Sequence, residues 1–117
     1  MTQAWPTELK LDAEKRTLTV SYDDGKSFAL PAEMLRVLSP SAEVQGHSPE
    51  QRVTVPGKKN VRITQLTPVG NYAIRIAFDD GHDTGLYVWD YLRDLGENQD
   101  ARFQSYLDEL AAKRLTR

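Results

Sequence analysis

Ile74-Arg-Ile-Ala-Phe-Asp-Asp-Gly-His-Asp-Thr-Gly-Leu-Tyr-Val-Trp-Asp-Tyr-Leu-Arg93 reads as a strand, a tight polar turn, a second short strand and then a helix. Ile74, Ile76 and Phe78 alternate with Arg75 and Ala77, the period-2 pattern of a half-buried strand. Asp80-Gly81 supplies the turn, because glycine tolerates positive φ and aspartate bonds its own backbone. Beyond it, Leu86, Trp89, Tyr91 and Leu92 bring large apolar groups at mostly helical spacing, with Trp89 and Leu86 as expected core anchors. His82 and Asp83 stand where the two patterns meet.

The same pattern occurs earlier. Leu18-Thr-Val-Ser-Tyr-Asp-Asp-Gly25 matches Ile74 to Gly81 position for position at an offset of 81 − 25 = 56. Each copy is followed by a short helix containing Leu-Arg, at Leu35-Arg36 and Leu92-Arg93. Either the chain holds two related units, or two common Asp-Asp-Gly hairpins coincide. The fold expected is α+β, with a mainly antiparallel sheet built from two hairpin-helix units.

Around these units, residues 1–7 read as a loose lead-in and 8–117 as a single domain, in keeping with 117 residues. Leu9 and Leu11 mark a short strand, and Phe28 and Leu30 continue the first hairpin. Pro31 opens a helix at the position where a missing N–H costs nothing, and Pro40 stops it. From Ser39 to Lys59 the chain is polar and irregular, with Val53-Thr-Val55 as a possible strand. Val61, Ile63 and Leu66 suggest another strand, ended by a turn at Pro68-Val-Gly-Asn71. Phe103, Leu107, Leu110, Ala111 and Leu115 recur at helical spacing, which predicts an amphipathic C-terminal helix over 100–117. Its apolar stripe permits packing on its own chain or on a neighbour, so the oligomeric state is open.

Composition removes several function classes. Net charge is −2, without a block of lysine and arginine, so nothing favours nucleic acid. There is no cysteine, which removes disulfides, thiolate nucleophiles and cysteine-ligated metals. No window has the length of a membrane span and the N-terminus lacks a signal-peptide pattern, so the cytoplasm is the expected location.

Two segments, Leu35-Arg-Val-Leu-Ser-Pro-Ser-Ala-Glu-Val-Gln-Gly-His47 and Gly70 to Arg93, resemble the gamma-butyrobetaine hydroxylase-like N-terminal domain family. The likeness runs from about Glu8 to Gly96. In the carnitine-pathway hydroxylases the related domain precedes an iron- and 2-oxoglutarate-dependent barrel and holds a structural zinc through Cys-x-Cys-x-x-Cys and a later histidine. Carried onto this chain, the cysteines fall on Ser39, Ser41 and Val44 and the histidine on His82. Only the histidine is kept, so the resemblance implies that this zinc site is not retained, and the catalytic barrel is absent. The domain is also found fused to Mrp-type ATPases linked to iron-sulfur cluster assembly.

His47 and His82 are the only histidines. Should the long loop fold back, His47 and His82 with Glu43 or Asp83 would form a two-histidine, one-carboxylate set suited to iron or zinc. Turn histidines that merely bond backbone or carboxylate are the plainer alternative. Asp23-Asp24 and Asp79-Asp80 resemble acid-base pairs, but their position before glycine favours a turn role. Ser41 with His47 would suit a small hydrolase, yet no nucleophile elbow is present. Arg36 and Arg93 suit either an anion or a helix C-terminus. The expected role is that of a non-enzymatic binding or adaptor domain for an unidentified protein partner, acting through Ser39, Ser41, Gln45, His47, His82 and Asp83. A divalent-metal-binding accessory of iron or iron-sulfur metabolism and, less favoured, a small hydrolase are the alternatives.

Overall fold

Alternating side chains set the strands, and two glycine turns set their pairing. The computed structural model describes residues 5–46 and 53–117, with the side chains of Ala42 and Glu43 outside that description. Strands β1 (Pro6–Leu11), β2 (Thr17–Tyr22) and β3 (Ser27–Pro31) form one antiparallel sheet in the order β1-β2-β3. Helices α1 (Ala32–Val37) and α2 (Ala42–Gln45) follow. Strands β4 (Ile63–Val69), β5 (Ala73–Phe78) and β6 (Leu86–Val88) form a second antiparallel sheet in the order β4-β5-β6, followed by α3 (Trp89–Glu97) and α4 (Gln99–Ala112). The α+β class, the antiparallel pairing and the two units are as expected, with one three-stranded sheet per unit.

The internal echo is spatial as well as sequential. In the first hairpin Tyr22 N–H donates to Lys26 O and Gly25 N–H to Tyr22 O; in the second, Phe78 N–H donates to His82 O and Gly81 N–H to Phe78 O. Gly25 and Gly81 have φ of 86° and 92°, the left-handed geometry that closes a three-residue hairpin loop and that other residues adopt only with strain. In each turn the second aspartate accepts from the backbone two residues on: Asp24 from Lys26 and Asp80 from His82. The register breaks once in each first strand pair, at Pro6/Glu8 and at Ile63/Gln65.

The units exchange arginines. Arg36, from the helix of the first unit, donates through Nε to Asp80 of the second turn at 2.7 Å. Arg93, from the helix of the second unit, donates through Nη2 to Asp24 of the first turn at 2.8 Å. A second exchanged pair brings Gly85 to Ser39 and Gly96 to Phe28, contacts that share an offset of 57 (85 − 28 and 96 − 39). Both glycines are required by closeness rather than by φ, since an added Cβ would stand 2.5 Å from Ser39 Oγ and 2.4 Å from the Phe28 ring.

Between the layers lies one core. Leu18, Val20, Tyr22 and Leu30 come from the first sheet, Ile63, Ile74, Ile76, Phe78 and Tyr87 from the second, and Met34, Leu35, Leu92 and Leu95 from the helices. Each such side chain stabilises the fold by roughly 1.5–3 kcal/mol on burial, before entropy is counted. Helix α4 adds Tyr106 and Leu110 to this core.

Several local expectations change. Leu86 is not an anchor: residues 86–88 are a strand, so Tyr87 points inward at 0% exposure while Leu86, at 42%, points out. Trp89 is only partly buried and donates its indole N–H to Asn71 O. Strand β4 runs through Pro68 and Val69, because it lies at a sheet edge where a missing N–H is tolerated. Val53 to Val55 form no strand, although Val53 N–H donates to Val44 O. The last helix stops at Ala112 rather than 117, since Arg114 turns to φ 57° and Leu115 N–H closes back on Leu110 O. The tail then lets Arg117 form a two-pronged ion pair with the buried Glu33. Strand β1 begins at Pro6, within what reads as lead-in.

Candidate functional site

Helix α1 ends because Pro40 cannot continue it: Leu38 N–H still closes on Met34 O, and Ser39 N–H only on Arg36 O. Ser41 starts the next turn by accepting from Val44 N–H and Gln45 N–H. Gln45 reaches back to donate through Nε2 to Ser39 O at 2.8 Å. This short segment is pressed against the β5–β6 turn. Ser39 Oγ donates to Ser41 Oγ at 3.0 Å, and each hydroxyl lies 3.2 Å from His82 Nε2. The three side chains close a triangle.

Its surroundings are built to hold it. Gly85 leaves room for Ser39 Oγ. Tyr87 donates to Leu35 O at 2.5 Å and Tyr91 donates to Leu38 O, so two phenols tie the carbonyls at the exit of α1. Burial pushes the Tyr87 phenol up. Below the turn, Asp80 pairs with Arg36 and with Lys58, both at 2.7 Å. Burial raises the Asp80 carboxyl, but the Lys58, His82 N–H and Arg36 donors outweigh it and hold it at about 2, well below 3.8.

Of the residues singled out in the sequence, Ser39, Ser41 and His82 come together and Gln45 braces them. Ser39 and Ser41 are buried, at 0% and 5% exposure, and therefore support the expected surface rather than form it. Asp83 follows His82 and is exposed. His47 lies outside the described residues, as does the side chain of Glu43, so the two-histidine set cannot be assembled from them. Among the described residues, no group of three or more histidine, cysteine, aspartate or glutamate side chains is placed to hold a metal. Asp24 and Asp80 are turn residues and ion-pair partners, and Arg36 and Arg93 bind them rather than a free anion or a helix end. Sequence reasoning missed Gly85 and Lys58. The only available signal was a glycine at the mouth of β6.

The model of the family described as "Gamma-butyrobetaine hydroxylase-like, N-terminal" matches residues 9–93, most of the chain. The chain belongs to that family. Two solved structures, each described as an NMR solution structure of the protein, are similar over nearly the whole chain. One is 45% identical with a TM-score of 0.84, covering 99% of this chain and 91% of its own. The other is 50% identical with a TM-score of 0.84, covering 100% and 90%. A crystal structure of a protein of unknown function of the DUF971 family from Acidithiobacillus ferrooxidans is 36% identical, with a TM-score of 0.64, covering 78% of this chain and 91% of its own. Among curated proteins none matches. Among the described residues, no helix of this family member is long and apolar enough to cross a membrane.

Proposed function

We propose that this domain is a non-enzymatic binding or adaptor module whose working surface is the rim where the α1 exit loop meets the β5–β6 turn. The observation that carries this reading is the closed contact of Ser39, Ser41 and His82. It fixes the two segments that carry the family likeness into one unit and leaves Asp83 exposed at its edge. A surface held this firmly loses little entropy on binding. The partner is a protein, taken by hydrogen bonding and charge at Asp83, Gln45 and the accessible part of His82.

The serine–histidine contact gives a second reading, a small hydrolase, a specific basis. Burial counts against it, because a substrate carbonyl must approach the nucleophile to about 3–3.5 Å, and both hydroxyls are covered. A fluorophosphonate serine probe separates the two, since labelling of Ser39 or Ser41 would support hydrolysis and reject the adaptor reading.

The surface itself is tested by a photo-crosslinking side chain placed at Asp83 and, for comparison, at Lys10 on β1. A discrete protein adduct from position 83 but not from 10 is expected. No adduct, or the same adducts from both positions, would reject the proposed surface.

A further inference from the structure

We infer that the joint between the α1 exit loop and the β5–β6 turn is a hydrogen-bonded clasp standing where the family resemblance places a metal, and that it fastens the two elements without any ion. This holds whatever the adjoining surface binds.

The donor chemistry does not suit zinc. The positions that would hold three thiolates carry two neutral hydroxyls, Ser39 and Ser41, and the buried hydrocarbon of Val44. The spacing is also that of hydrogen bonds. The three polar atoms stand 3.0, 3.2 and 3.2 Å apart, whereas thiolates arranged tetrahedrally at a Zn–S distance of ~2.3 Å stand ~3.8 Å from each other. The triangle is contracted onto itself.

Proton accounting shows that the clasp works by itself. Ser39 Oγ–H is spent on Ser41 Oγ, and Ser39 Oγ accepts from Ser41 N–H at 3.3 Å. If His82 Nε2 carries no proton, it accepts from Ser41 Oγ–H; if it carries one, it donates to a serine oxygen. Either tautomer leaves the loop bonded to the turn.

The pseudo-equivalent junction in the other half of the molecule supports the same conclusion. There Gly96 lies against the Phe28 ring, and the Arg93 guanidinium sits 5.4 Å from that ring's centre and 4.9 Å from that of Tyr22. That junction is filled by a ring and a cation. Each unit fills this place with its own side chains, and among the described residues neither half holds a group of three or more histidine, cysteine, aspartate or glutamate side chains placed for a metal.

Three measurements on the full chain test this. Protein purified from zinc- and iron-supplemented medium is expected to hold sub-stoichiometric metal and to keep its Tm in chelator; roughly one ion per chain with a chelator-sensitive Tm would overturn the inference. Ser41→Ala is expected to lower Tm by about 3–6 °C, and an unchanged Tm would overturn it. The S39C/S41C/V44C variant, with His82 kept, is expected to acquire thiolate-to-cobalt charge-transfer absorption on Co(II) addition and a higher Tm with zinc. A folded triple variant that takes up no cobalt would show that this joint does not stand at a metal position. Should Val44→Cys prevent folding, S39C/S41C provides the same readout with three ligands.

Discussion

Asp80→Ala should be among the most damaging single changes at the surface of this molecule, and its near-twin Asp24→Ala should not. Asp80 accepts from Arg36 Nε at 2.7 Å, Lys58 Nζ at 2.7 Å and His82 N–H at 3.0 Å, with its side chain only 16% exposed. Breaking a fully buried ion pair costs about 3–5 kcal/mol and an exposed one about 0–1. A mostly covered carboxylate with three donors falls between, at about 2 kcal/mol. Linkage gives a consistent figure. A carboxyl held at about 2 instead of 3.8 corresponds to on the order of 2 kcal/mol before solvent screening and ~1 after it. Asp24 is more exposed, at 38%. When it is removed, Arg93 keeps Glu97 and the Tyr22 and Phe28 rings, so the loss should be clearly smaller. Urea unfolding followed by far-UV circular dichroism and tryptophan fluorescence would read both, with the Asp80→Ala midpoint falling by roughly 1 M for an m-value of about 2 kcal/mol/M. An Asp24→Ala loss equal to or larger than that of Asp80→Ala would refute the argument that burial, not the turn motif, sets the worth of these pairs.

The same aspartate predicts a pH dependence. Its carboxyl is depressed in the fold, so its stabilisation is complete above the ordinary 3.8 and is lost as pH falls toward about 2; the stability gap between wild type and Asp80→Ala should therefore narrow in acid unfolding titrations over that interval and stay flat above pH 5. Gly85→Ala places a Cβ 2.5 Å from Ser39 Oγ, and should destabilise by about 1–3 kcal/mol; Gly25, whose added Cβ would meet nothing within 4 Å, should lose stability on the same change only through its positive φ, and thermal melts would compare them. Arg117→Ala leaves Glu33, whose side chain is 7% exposed, without its two-pronged partner, and should cost about 1–3 kcal/mol, checked by a melt at neutral pH.

The hairpins were legible because their determinants are local. Asp-Asp-Gly specifies a turn within five residues, and alternation at Leu18 to Tyr22 and Ile74 to Phe78 specifies which face is buried. The second short strand was legible, but Leu86 was misread as an anchor because Leu86, Trp89 and Leu92 fit a helical stripe, and only pairing with β5 reveals which of residues 86–88 faces inward. The end of α4 turned on one positive φ at Arg114, which no apolar period announces. The meeting of Ser39, Ser41 and His82 was legible only through the family resemblance, since no spacing rule joins residues 43 positions apart. The role of Gly85 was hidden for a related reason: the glycine itself is plain in the sequence, but its small size matters because of a side chain from the other unit. Likewise the sequence showed Arg36 and Arg93 at matching places but not that each would cross to the opposite turn.

A double-mutant cycle on Ser41 and His82 reads whether the loop and the turn are fastened to each other through these side chains. With Ser41→Ala, His82→Ala and the double variant compared by urea unfolding, a coupling free energy of about 0.5–1.5 kcal/mol is expected. Strictly additive losses, with no coupling, would contradict it.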